Sequence, residues 1–234
     1  MKAINYLLFI SFFSTSIFAQ TVLTVEKLWQ LGRVSLEDVS PDGKSTVYAV
    51  TYYSITTNKG NTDIYIVDNT TKISKKITAF DGNENNARFR PDGQKIGFLK
   101  DGLFHEMNLD GSDLSQVSSE EMNGFIYSPK GNRIAFLQDV KYRKTVKEMN
   151  PNLPLANAKI MESLNYRHWK SWDDQHDSNV FFADYSDGKL TSSPTNIVNE
   201  PFEAPVDPDD GIEQVAFSPD GNQIAYSCKK LTGT

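Results

Sequence analysis

Cysteine is almost absent. Cys228 stands alone, which excludes an internal disulfide and any cysteine-based zinc site. Histidine is scarce too, with only His105, His168 and His176, and no G-x-S-x-G nucleophile elbow occurs. A Ser-His-Asp triad inside the chain is therefore not expected, and no residue is nominated as catalytic. There is no surplus of basic charge: 24 Lys and Arg stand against 30 Asp and Glu, a net charge of −6, which argues against a nucleic-acid partner. Long apolar runs are missing beyond Tyr6–Phe13, too short to span a bilayer. With Lys2 before that run and Ala19 ahead of Gln20, residues 1–19 read as a secretory signal. The expectation is an exported protein, periplasmic or secreted, with no membrane attachment after cleavage.

Metal-ligand spacing is also lacking. His168, Asp173, Asp174, His176 and Asp177 are close in sequence but do not follow a zinc-helix pattern. Asp207, Asp209 and Asp210 precede Gly211, yet the position where a calcium loop needs Glu is Ser218. Neither a metal nor any other cofactor is expected.

What the chain does have is one turn written four times: Ser40-Pro41-Asp42-Gly43, Arg90-Pro91-Asp92-Gly93, Ser128-Pro129-Lys130-Gly131 and Ser218-Pro219-Asp220-Gly221. Proline presets φ for the second position of a tight turn, and glycine accepts a positive φ. Each turn leads into a strand with alternating side chains: Thr46 and Tyr48, Ile96 and Phe98, Ile134 and Phe136, Ile224 and Tyr226. Between those pairs sit Val47, Gly97, Ala135 and Ala225, mostly small. Lys130 replaces aspartate in the third copy, which a structural turn tolerates and a carboxylate site would not. Pro41, Gly43, Pro91, Gly93, Pro129, Gly131, Pro219 and Gly221 are accordingly read as structural.

Four such hairpins predict a repeat architecture, an all-β propeller of four-stranded blades. A short helix over Thr24–Arg33, with Val25, Leu28 and Trp29 on its apolar face, forms a lead-in across residues 20–34 and packs as a lid on the first blade. The partial propeller occupies 35–234. Its first blade continues through a polar connection at Tyr52–Asn61 to strands at Asp63–Asp68 and Ser74–Thr78. The second has strands at Ile96–Leu99, Leu103–Asn108 and Leu114–Ser118. The third opens with Phe125–Tyr127 and resumes only at Val180–Ala183. Successive turn prolines lie 50, 38 and then 90 residues apart, so the third blade carries an insertion of about 40 residues over 139–178. The fourth blade stops halfway. About three and a half blades fall short of the four to eight a closed propeller uses, and the chain is expected to be the N-terminal part of a longer protein.

The insertion opens on Lys141, Arg143, Lys144 and Lys147, is broken by Pro151 and Pro154, and predicts a helix carrying Leu155, Ile160, Met161 and Leu164. It ends in Tyr166-Arg167-His168-Trp169-Lys170-Ser171-Trp172. Long insertions in repeat proteins often carry binding. Arg167, Trp169 and Trp172 either line such a site or clamp the insertion to the propeller.

The turns resemble the TolB-like propeller repeats of the prolyl oligopeptidase family of serine peptidases. Leu153-Pro154-Leu155-Ala156, Tyr166-Arg167-His168-Trp169 and Trp172 are similar to the inserted segment of its bacterial dipeptidyl-peptidase-five and acylaminoacyl-peptidase members. Glu200-Pro201-Phe202, Gly211-Ile212-Glu213-Gln214 and the ending Ser227-Cys228-Lys229-Lys230-Leu231-Thr232-Gly233 are similar as well, so the resemblance covers nearly all of the mature chain. It implies a propeller that caps a C-terminal α/β-hydrolase domain bearing the catalytic triad and admits oligopeptides while excluding folded proteins. That domain lies outside these 234 residues, so no catalytic residue carries over. Related dipeptidyl peptidases hold the substrate's amino group with acidic propeller residues, and Glu162 is the candidate for that role. The expected function is the substrate-gating propeller portion of an exported serine exopeptidase. The rival reading is a non-enzymatic periplasmic TolB-like propeller that binds protein partners. The sequence leaves room for a homo-oligomer.

Overall fold

Each of the four repeated turns closes in the way its residues require. The glycine N–H donates to the carbonyl of the first turn residue at 2.7–2.8 Å in all four, from Gly43, Gly93, Gly131 and Gly221. Those glycines have φ of 72°, 72°, 65° and 72°, a left-handed region open to glycine without penalty. Asp42 Oδ1 accepts from the Lys44 N–H at 3.0 Å and from the Ser40 hydroxyl at 2.8 Å. Those bonds, the backbone one first, hold its carboxyl down at about 2. Asp220 is held at about 2 in the same way, chiefly by the Ser218 hydroxyl. In the third copy, where Lys130 has no carboxylate to offer, Asn132 takes the Ser128 hydroxyl instead. The aspartates are staples of the turn.

The structure, a computed structural model, describes residues 22–160, 167–168, 171–172, 175–205, 211–228 and 230. The expected signal segment 1–19 lies outside the described residues. Helix α1 (Val25–Gln30) is capped by Thr24 and precedes a four-stranded antiparallel sheet, β1 (Arg33–Val39), β2 (Ser45–Ser54), β3 (Lys59–Asp68) and β4 (Ser74–Lys76). The expected polar connection at 52–61 is instead the end of a long hairpin, paired out to Ser54↔Lys59. The second sheet is β5 (Glu84–Phe89), β6 (Lys95–Lys100), β7 (Leu103–Asn108) and β8 (Ser115–Glu121).

The third sheet begins with β9 (Phe125–Tyr127) and β10 (Arg133–Lys141). Then come helix α2 (Val146–Met149) and a small hairpin, β11 (Arg167–His168) with β12 (Ser171–Trp172). The sheet resumes with β13 (His176–Ser186), β14 (Lys189–Leu190) and β15 (Thr195–Asn196). The β10–β13 ladder runs on to Lys141↔His176, so both ends of the predicted insertion are strand and the excursion proper spans 142–175. A 3-10 turn, Ile212–Gln214, leads to β16 (Val215–Phe217) and β17 (Ile224–Tyr226), a two-stranded sheet. Among the described residues no helix is long and apolar enough to cross a membrane.

The core lies between the sheets, and period-two alternation divides each strand between two interfaces. On β6, Ile96 and Phe98 face the first sheet with Val47, Ile64 and Phe89. Leu99 joins the next cluster, with Phe104, Phe125 and Phe136. On β10, Ile134 and Phe136 belong to that second cluster, whereas Ala135 and Leu137 turn to a third with Val180, Ile212 and Val215. Each fully buried Phe or Ile contributes roughly 1.5–3 kcal/mol of transfer free energy.

The first strands of successive sheets are stitched by side chains reaching backbone N–H groups of the next. Glu37 Oε2 accepts from Ala87 N at 3.0 Å, Asp38 Oδ2 from Phe89 N at 2.9 Å, and Asn86 Oδ1 from Phe125 N at 2.6 Å. Bulges at Leu36/Asp38 and Asn85/Arg88 re-aim these side chains sideways. The repeated turns also touch in sequence order: a β-carbon built on Gly93 would lie 3.7 Å from Pro41 Cδ, and one on Gly131 3.7 Å from Pro91 Cδ.

Candidate functional site: the insertion and its neck

The excursion 142–175 leaves from the β10–β13 tip, the same end of its sheet as the tips at 54–59 and 100–103. Its neck is tied by buried polar groups. Asn179 is fully buried. Its Oδ1 accepts from the Tyr142 hydroxyl at 2.6 Å and from Asn196 Nδ2 at 2.9 Å, while its Nδ2 donates to Ser178 O at 2.8 Å. Arg143 grips Asp177 with both terminal nitrogens, at 3.0 and 3.3 Å, a forked pairing that fixes direction as well as distance. Glu203 Oε2 accepts from Ser178 N at 2.7 Å.

Beyond the neck, Thr145 and Glu148 form a reciprocal capping box that starts α2. Glu148 also pairs with Lys141, and that ammonium, ahead of the Thr145 bonds, lowers its carboxyl to about 2. The helix expected around Leu155–Leu164 is not found over 155–160, which has no regular structure; 161–166 lie outside the described residues. Leu155 is 93% exposed, so the apolar face that would have stabilised a helix has nothing to pack against, and short isolated helices are marginal in water. The four-residue α2 forms earlier, where the capping box is.

Of the nominated residues, the backbone brings two together: Arg167 and Trp172 are register partners across the β11–β12 hairpin. Glu162 and Trp169 lie outside the described residues, so the proposed amino-group anchor and the central tryptophan have no place in this geometry. Asp173 and Asp174 lie outside as well. The α1 lid differs from expectation. Trp29 packs edge-on against Tyr53 at 5.6 Å with the Arg33 guanidinium 4.3 Å from the Tyr53 ring, but no α1 residue is buried, and Val25 and Leu28 stay exposed. His105 stacks on Phe98 at 5.7 Å.

A pocket of about 220 Å³ opens at the base of the insertion, lined among others by Lys144, Thr145, Lys147, Met149, Lys159 and Ile160. Two further polar sites sit between sheets. At the turn end, the fully buried Glu106 accepts on Oε1 from Tyr127 and Tyr185, each at 2.5 Å. Its Oε2 lies 3.8 Å from Arg90, which also pairs with Asp92 at 2.7 Å and Asp187 at 3.2 Å. Burial, then Glu106, pushes the Tyr185 hydroxyl up to about 12. Asp92 raises the Arg90 guanidinium further above its ordinary value. The signal was in the repeat, since Arg90 stands where the other three turns have serine.

At the insertion end, Glu84 of β5 and Asp63 of β3 meet. Asp63 Oδ2 pairs with Lys76 at 2.7 Å. Asp63 Oδ1 and both Glu84 oxygens make no hydrogen bond of ordinary geometry. Burial pushes the Glu84 carboxyl up to about 7; the nearby Thr78 hydroxyl and Lys100 pull it down, and the charges of Asp63 and Asp101 push it up.

Comparison with known proteins decides the relationship. Dipeptidyl-peptidase 5 of Porphyromonas gingivalis is 36% identical over 217 residues, 90% of this chain and 32% of that protein. Dipeptidyl-peptidase 5 of Porphyromonas endodontalis is 30% identical over 220 residues, 91% of this chain and 32% of that one. The chain is homologous to dipeptidyl-peptidase 5. It spans about a third of the length of these curated relatives. Among solved structures, Pyrococcus horikoshii acylaminoacyl peptidase superposes with a TM-score of 0.55 at 11% identity, covering 72% of this chain and 25% of that one. That likeness concerns the fold and agrees with a propeller portion. No family model matches the chain.

Proposed function

We propose that this chain is the substrate-gating propeller portion of an exported serine exopeptidase of dipeptidyl or acylaminoacyl type, acting on oligopeptides and not catalytic by itself. The observation that carries the reading is the 36% identity to a dipeptidyl-peptidase 5 across 90% of the chain. The anchored excursion 142–175 supports it, because a wall held by Asn179 and Asp177 at its neck can stand over a cleft and limit what enters. In this reading the reacting groups come from an α/β-hydrolase domain outside these residues, and the blades supply a stiff frame. Arg167 and Trp172, paired across their hairpin, shape the entrance; Trp169 and Glu162, which lie outside the described residues, are assigned to it on the sequence alone. Export rests on residues 1–19, and a homo-oligomer is compatible with the reading.

Two measurements test it. The purified 234-residue chain is expected to leave dipeptidyl chromogenic substrates intact; turnover that resists serine-peptidase inhibitors would sink the assignment. In the longer protein, replacing residues 146–172 by a short Gly-rich turn is expected to admit larger polypeptides while sparing dipeptide release. An unchanged size limit would remove the gating role.

A further inference from the structure

We propose that Asn179 is the positioning residue of the excursion: its side-chain amide fixes the angle at which residues 142–175 leave the third sheet, and through that angle the size of peptide admitted. The inference rests on the gating reading above and names the residue that sets the limit. An amide carries two donor hydrogens and an acceptor oxygen with two lone pairs, and here each is used. Oδ1 accepts from Tyr142, the first residue of the excursion, at 2.6 Å and from Asn196 of β15 at 2.9 Å. Nδ2 donates to Ser178 O at 2.8 Å and to Phe202 O at 3.3 Å. One buried group thus joins the excursion to β13, to β15 and to the segment 199–205 that follows. That segment and β15 are themselves seated on β13, by Ile197 N to Val180 O at 3.0 Å and Ala204 N to Ser178 O at 2.9 Å.

The repeat shows that this position does not require an amide. Each of the first three sheets stacks one ring pair across its second and third strands: Tyr48 on Tyr65 at 5.4 Å, Phe98 on His105 at 5.7 Å and Phe136 on Phe181 at 5.6 Å. Two residues before the second ring of each pair stand Asp63, Leu103 and Asn179. The second sheet fills the position with leucine, and its tip is the tight Asp101-Gly102 turn. The first has Asp63, paired with Lys76, below its long hairpin. The third, which carries the excursion, has the amide, fully buried. A buried amide costs free energy unless its hydrogen bonds are made, and a leucine would pack there without that cost. What the amide adds is direction, because its carbonyl accepts near its own plane and a satisfied polar network specifies one arrangement. The other side of the neck is gripped by the Arg143–Asp177 fork. Two points of attachment define an angle where one would leave a pivot.

The test is made in the longer protein. Tyr142→Phe removes the phenol donor and leaves the ring; Asn179→Leu removes the whole amide at similar volume. Losing one such bond raises the population of a displaced excursion about tenfold. On a dipeptidyl chromogenic substrate both variants are expected to keep the wild-type kcat and KM. On a long unfolded polypeptide with the same N-terminal dipeptide, KM should fall about tenfold with kcat unchanged. Amide hydrogen exchange of residues 143–160 should quicken while that of β10 and β13 holds. Tyr185→Phe takes a phenol donor from the far end of the same strand and should leave the size limit as it is. Thermal melts check the fold, and should Asn179→Leu unfold, Tyr142→Phe carries the test. Unchanged exchange overturns the inference, as does faster exchange without a lower KM for the polypeptide, or an equal fall in KM in Tyr185→Phe. The Gly-rich replacement of 146–172 separates the two readings. If it relaxes the size limit and the neck variants do not, the positioning role alone falls; if it leaves the limit unchanged, the gating reading falls as well.

Discussion

Glu84 is a residue whose chemistry departs far from its type. It is fully buried beside Asp63, and its carboxyl rises from 4.5 to about 7. The folded state therefore keeps a proton that the unfolded chain releases near pH 4.5. Stability falls as pH climbs from there to about 7 and is level above it, because the folded pKa lies above the unfolded one. At about 1.36 kcal/mol per pKa unit, the loss is on the order of 3 kcal/mol. Glu84→Gln has no proton to lose over this range. Chemical denaturation at pH 5 and pH 8 should show the wild type weaker at pH 8 and the variant nearly unchanged; equal pH slopes in both proteins would refute the assignment. None of this was legible in the sequence. Glu84 and Asp63 lie in separate repeats, and only the stacking of two sheets makes neighbours of them.

At the scale of the strand, small residues between the alternating large ones are spacers between sheets. Gly97 shows the tightest case. A β-carbon there would lie 2.3 Å from Tyr127 Oη, 2.8 Å from Phe104 Cε2 and 3.0 Å from Phe125 Cζ, and the first of these atoms belongs to the Tyr127–Glu106 bond. Gly97→Ala is expected to cost about 1–3 kcal/mol through overpacking, read as a lower urea midpoint; a change within about 0.5 kcal/mol, the range of a neutral surface substitution, would mean that the interface yields. The pattern of one small residue between two large ones was visible in three of the four repeats, at Gly97, Ala135 and Ala225. Its cause was not, because what the spacer faces comes from the next sheet. The insertion teaches the converse: a run of apolar residues at helical spacing around Leu155 gave no helix over 155–160, for want of a partner surface.

For the molecule as a whole, the notable feature is what the first sheet leaves uncovered. Val34 and Leu36 of β1 are 69% and 71% exposed, and Val39 and Tyr52 are exposed beside them. Contiguous apolar surface of this kind drives association. The isolated chain is expected to self-associate in a concentration-dependent way, followed by sedimentation velocity, and Val34→Thr/Leu36→Thr should reduce that association while keeping the β-sheet circular dichroism. A monomer at every concentration would show that the face is harmless in solution.

The sequence by itself determined the repeat. Pro41, Gly43 and their counterparts specify a local turn, the alternation that follows specifies a strand, and both depend on neighbours a few residues away. That was enough to read an all-β fold of stacked four-stranded sheets, the interrupted third sheet and the structural role of the turn aspartates. The tertiary structure alone decided which side chains meet across sheets: Glu106 with Tyr127 and Tyr185, and Asp63 with Glu84. Those contacts join residues far apart in the chain through packing, and packing depends on shape and burial that no local spacing encodes.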